Sequence, residues 1–259
     1  MPRASELLRP GLLSVLIFLV GCRDKEPVPA PANNGLFLHL EHTYQQAPLA
    51  LNQSWLPTLR NSIEVNHCQY YLSNFALQRS DSTWLEFPGL VTYSDLERKL
   101  NQVWTMAGTV PTGTYLGLRF GVGLDSLRNH SDPASWPSDH PLALLNSAHM
   151  HWNWNTGYIF FKMEGQYQRS GMPVNGAFSY HLGSDDCYRI VRMNFAPVHL
   201  HQNREDLRVR LDFRKFFDEP HAHWITDTSS FSHSSLGDRV ADILANNLAN
   251  SFVWQGRVE

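Results

Sequence analysis

Histidine is the residue type through which this chain could do chemistry. Thirteen occur among 259 residues, and several stand at short intervals: His39/His42, His149/His151, His199/His201 and His221/His223. In a strand, residues i and i+2 point to the same face. A pair so spaced can offer two imidazoles to one ion, and neutral imidazole suits copper, zinc, iron or nickel. His199 and His201 alternate with Val198 and Leu200, so they read as solvated. His221 and His223 follow Asp218-Glu219-Pro220 in a loop, where a ligand role is no better marked, and His39 shares its face with Glu41, which also reads as solvated. His42 differs, because it extends the apolar face set by Leu36, Leu38 and Leu40. At such a position a satisfied core histidine is commoner than a ligand. His130, His140, His149 and His151 fall within 125–156, a stretch without regular alternation that also holds Trp136, Trp152 and Trp154. Loops of that length are functional or disordered, and this one is too aromatic for disorder.

Enzyme signatures are missing. There is no His-Glu-x-x-His helix, no Gly-x-Ser-x-Gly elbow and no P-loop, and Gly121-Val122-Gly123 runs on to Ser126, which breaks the dinucleotide fingerprint. No general base is marked beside the histidines, so the sequence points to binding rather than catalysis. The formal net charge is −3, and the basic residues form no dense cluster. A phosphate-backbone footprint, and with it a nucleic-acid partner, is excluded.

The N-terminus sets the compartment. Arg3 and Arg9 precede the apolar run Leu12–Val20, which stops at Gly21-Cys22. The run is too short to span a bilayer and has the proportions of a secretory leader. Leu19-Val20-Gly21-Cys22 resembles the lipobox at which bacterial lipoproteins are cleaved and acylated. Residues 1–21 are thus expected to be a lipoprotein signal peptide. Residues 22–34, with Pro27, Pro29 and Pro31, are a tether behind a lipidated Cys22, and 35–259 is the folded domain. That places the protein in the bacterial cell envelope, anchored to a membrane by lipid on the periplasmic side or the outer-membrane surface. With Cys22 acylated, Cys68 and Cys187 remain as an even pair in a compartment that permits disulfides, and a bridge between them is expected.

The elements that must carry these residues are strands. In Leu207–Phe213 every odd-numbered residue is apolar and every even-numbered residue charged, a pattern only a half-buried strand can use. The same period runs through 36–42, 116–122 and 159–164, and strands are also expected at 63–72, 177–182 and 188–195. Asp95–Gln102 and Asp238–Phe252 read as helical, the second with Val240, Ile243, Leu244, Leu248 and Phe252 on one face. The expected fold is all-β: an antiparallel β-sandwich with long loops and a C-terminal amphipathic helix.

Several motifs resemble those of a known family. The segment from Met150 through Trp152, Trp154, Gly157 and Tyr158 is similar to the Met-x-Trp-x-Trp-x-x-Gly-Tyr motif of the MbnP-like copper-binding family, whose namesake accompanies methanobactin. Leu40-Glu41-His42, Tyr70-Tyr71-Leu72-Ser73-Asn74, Phe178-Ser179-Tyr180-His181-Leu182-Gly183 and Ala245-Asn246-Asn247 follow in the family's order. The resemblance implies a β-sandwich that binds copper through histidines. It also implies a di-haem MauG-like partner enzyme that in some members oxidises a tryptophan to kynurenine, for which Trp152 and Trp154 are the candidates. His42 and His181 fall on the family's two recurrent histidines, and His149, His151 or His130 would complete the site. One departure is that a subgroup carries four cysteines where this chain offers Cys68 and Cys187.

Two functions follow as expectations. The first is an exported lipoprotein that binds copper, or zinc at the same ligand set, through a histidine cluster, for acquisition, storage or delivery. The alternative is a surface module that grips a glycan or a protein and whose histidines are structural.

Overall fold

The computed structural model describes residues 35–55, 61–107, 110–147, 149–152, 157–169, 176–201, 204–235 and 237–258. The expected leader and tether, with Cys22, and Trp154 lie outside the described residues. In chain order the strands are β1 (Gly35–Tyr44), β2 (Ala47–Pro48), β3 (Ser54–Trp55), β4 (Asn61–Arg79), β5 (Trp84–Glu86), β6 (Val91–Asp95), β7 (Gln102–Ala107), β8 (Gly113–Val122), β9 (Ile159–Arg169), β10 (Gly176–Gly183), β11 (Arg189–Leu200), β12 (Arg204–Asp212), β13 (Phe231–Ser232) and β14 (Phe252–Arg257). The helices are α1 (Ser126–Asn129), α2 (Phe213–Asp218) and α3 (Arg239–Asn250).

Two sheets form a sandwich. The five-stranded sheet runs β14-β12-β1-β2, with β7 also on β1; the nine-stranded sheet runs β11-β8-β4-β9-β10-β13, with β3, β5 and β6 also on β4. Pairing is mainly antiparallel, as the short turns between strands predict. The exceptions are β10 with β13, and β1 with β12, which pair in parallel, the latter from Gly35↔Arg204 to Thr43↔Asp212. A parallel pair needs a long crossover, and here nearly the whole domain lies between the two strands.

The period-2 patterns put the apolar residues between the sheets. Leu36, Leu38 and Leu40 of β1 and Leu207, Val209 and Leu211 of β12 are all buried. Rings then cross the gap. Phe120 of β8 meets Phe252 of β14 edge-on at 5.1 Å, and Phe216 of α2 lies 5.0 Å from Phe161 of β9. Each such buried side chain contributes about 1.5–3 kcal/mol relative to exposure. Asp238 caps α3 by accepting from the Val240 and Ala241 N–H groups, and the helix buries Ala241, Leu244, Ala245 and Leu248.

Two expectations fail. Asp95–Gln102 is a turn, not a helix: the Arg98 and Lys99 N–H groups donate to the Asp95 carbonyl, and Glu97 N–H to the Asp95 carboxylate. So short a segment barely repays helix nucleation, and the Asp95 side chain offers the backbone a competing turn.

Cys68 and Cys187 are not bridged; both thiols are free and buried. Cys68 of β4 pairs with Met163 of β9, and Met163 with Tyr180 of β10. Cys187 comes after the end of β10, past Gly183, which pairs with Ile159. Cys187 Sγ lies 3.4 Å from Ser234 Oγ, which is bonded to Gly183 N–H and the His181 carbonyl, so it sits beside the end of β10, two strand spacings or roughly 10 Å from β4. A disulfide requires Cα atoms within about 7 Å.

Candidate functional site

His42 continues the inward stripe of β1 and is buried, at 2% exposure. Its Nε2 lies 2.5 Å from the hydroxyl of Tyr70 in β4, and the Phe213 ring stands 6.0 Å from its own. Burial pushes its pKa down to about 4, against a smaller opposing effect from the Leu100 backbone. The ring is neutral and packed as a core residue.

His181 faces the other way. In β10 Phe178, Tyr180 and Leu182 are buried, so His181 shares the outer face of the nine-stranded sheet with Ser179. Its Nε2 is 2.7 Å from Glu164 Oε1 and 3.2 Å from Ser179 Oγ, and the His233 ring lies 4.9 Å away. Burial holds His181 below its ordinary pKa against the opposing pull of Glu164. Serine, histidine and glutamate suggest a catalytic triad, yet both oxygens approach the same ring nitrogen. The imidazole cannot pass a proton from one to the other.

The loop histidines are placed apart from both. His130 Nε2 is 3.4 Å from Asp185. His151 forms an isolated bridge with Tyr158 and meets that ring edge-on at 4.7 Å. These two share the wall of a small cleft of about 220 Å³ with Asn129 and Asp132. His149 is exposed, and His140 stacks on Trp136 at 4.1 Å. Trp152 lies over Gly183, where a Cβ would come within 2.5 Å of its ring. His223, read from the sequence as a loop residue, is buried and bonded to the Tyr180 hydroxyl at 2.9 Å.

These placements overturn the histidine-cluster reading. Among the described residues no group of three or more His, Cys, Asp or Glu side chains could hold a metal ion, so neither copper nor zinc is supported. The physical reason is strand phase. His42 points into the sandwich from the five-stranded sheet, whereas His181 points out of it from the nine-stranded sheet.

The structure instead assembles a larger cleft of about 750 Å³ from residues the histidine argument passed over: Tyr44, Gln45, Gln46, Gln53, Trp55 and Arg210, with Asp212 and Arg214 beside them. It forms where β1 turns into β2. Tyr44 pairs with Ala47 across a two-residue loop in which Gln45 adopts φ +59°, as a tight hairpin requires. Asp212, buried at the end of β12, pins this tip by accepting from the Gln45 N–H at 2.8 Å, and caps α2 by accepting from the Arg214 N–H at 3.1 Å. Half-buried Trp55 stacks on Tyr44 at 5.2 Å and 21°, and donates its Nε1–H to the Ala50 carbonyl. Exposed Gln45, Gln46 and Gln53 line the same cleft. The sequence held one signal of this site: the alternation of β1 stops at Gln45-Gln46, two residues that no apolar face explains.

Residues 33–234 match the family profile MbnP. The fold resembles that of MbnP from Methylosinus trichosporium, with a TM-score of 0.57 and 16% identity over 86% of this chain and 98% of that one. No curated protein matches. The chain belongs to the MbnP family, as a binding-type protein rather than an enzyme, and this membership agrees with the cell-envelope location its leader leads one to expect.

Proposed function

We propose that the protein is a lipid-anchored cell-envelope module that binds a glycan in the cleft at the β1–β2 hairpin, and that its histidines are structural. The observation that carries this reading is the half-buried Trp55 ring, stacked on Tyr44 in a cleft also lined by glutamines and arginines. A sugar has apolar C–H faces and a rim of hydroxyls. It needs a flat aromatic surface under it and planar donors and acceptors around it. The cleft volume falls in the range of small-ligand sites. Attachment through Cys22 would hold the cleft at the membrane surface, and a triacylated cysteine is a sufficient anchor.

The test is a glycan array followed by calorimetry, with wild-type protein and Trp55→Ala. Binding that is lost in the variant, with the melting temperature preserved, supports the reading. Binding that is indifferent to Trp55, or no glycan binding at all, refutes it. For the anchor, Cys22→Ser should yield a protein that no longer takes up labelled fatty acid.

A further inference from the structure

Two guanidiniums, Arg210 and Arg214, and the Asp212 carboxylate line the cleft. Arg214 Nε is paired with Asp218 at 3.1 Å. Asp212 Oδ1 is occupied by the Gln45 and Arg214 N–H groups. Arg210 remains. It makes no ion pair or hydrogen bond to any described residue, and its Nε is shielded from solvent without a partner. The acid opposite it in the β1–β12 register is Glu41, but Glu41 is engaged by Arg208 at 3.1 Å. Arg210 is held in place by strand pairing on both sides, with Glu41 of β1 and Val253 of β14.

The terminal nitrogens of this guanidinium, not its shielded Nε, are what a ligand in the cleft can reach. Its planar fork matches a carboxylate in two parallel hydrogen bonds. Resting on the glycan reading above, we propose that the ligand is an acidic glycan of the uronate class, whose carboxylate pairs with Arg210 while its ring lies on Trp55. Arg210 thereby selects acidic over neutral sugars, and the amides of Gln45, Gln46 and Gln53 serve the hydroxyls.

The experiment is calorimetric titration of the full-length protein in detergent with three probes: oligogalacturonate, its methyl ester of the same length, and poly-glutamate. The acid should bind at least about tenfold more tightly than the ester, and the gap should narrow as salt shortens the screening length. Arg210→Gln should close most of the gap by weakening the acid far more than the ester, and Arg210→Lys should restore only part of it. Equal affinity for acid and ester, with both lost in Trp55→Ala, overturns the acidic preference while the glycan reading stands. No binding of either sugar overturns both. Poly-glutamate bound as tightly as oligogalacturonate overturns the sugar in favour of an acidic polypeptide. If Arg210→Gln does not fold, the wild-type comparison of acid with ester decides alone.

Discussion

His42 and Tyr70 join the two sheets at the centre of the sandwich, with the imidazole Nε2 2.5 Å from the phenolic oxygen and both rings buried. The ring resists protonation down to about pH 4, whereas in the unfolded chain it takes a proton near its ordinary 6.5. Between those values the unfolded state binds more protons. The stability this histidine contributes is therefore whole above about pH 6.5 and is lost as pH falls towards 4, in an amount of about 3 kcal/mol. Urea melts of wild type and His42→Gln at pH 7.5 and 4.5 should show the wild type losing more stability between the two. Equal losses would show that His42 is not the titrating group.

The free thiols give a second prediction. Burial pushes the pKa of both Cys68 and Cys187 up, and a buried neutral thiol reacts slowly. Thiol titration of non-reduced protein should find both reacting in denaturant and little reaction in the native state. A denatured protein with neither thiol reactive would restore the bridge that the separation of the two cysteines argues against.

Gly183 tests the packing of the tryptophan motif. A Cβ there would meet the Trp152 ring at 2.5 Å and the Tyr158 carbonyl at 2.8 Å. The carbonyl is main chain and cannot swing aside as a side chain would. Gly183→Ala should cost about 1–3 kcal/mol, seen as a lowered melting temperature. An unchanged one would mean that Trp152 does not rest on β10.

Asp212 links the cleft to the fold. Asp212→Ala removes the acceptor for both the Gln45 and Arg214 N–H groups and should cost about 1–2 kcal/mol. It should also weaken ligand binding by loosening the hairpin tip. Asp212→Asn keeps an acceptor oxygen and should lose less of both. Calorimetry beside thermal melts separates the two effects, and a variant that loses stability but keeps full affinity would uncouple the hairpin from the cleft.

The alternation in β1, β8, β9 and β12 determined which residues form strands and which face of each is buried, because the pleat alone sets that phase. It also marked His42 as inward, as found. The phase of His181 was equally legible: three positions after the apolar Phe178 a strand residue must face outward, so the two histidines could not share an ion. The family motifs drew attention to the residue types, which carry no phase. Whether two strands lie in the same sheet, which strands separate Cys68 from Cys187, and that Gln45, Trp55 and Arg210 meet at one cleft were settled by tertiary structure. Strand pairing between residues far apart in the chain depends on sheet order and register, and in a local pattern of apolar and polar residues β1 paired with β12 looks the same as β1 paired with any other half-buried strand.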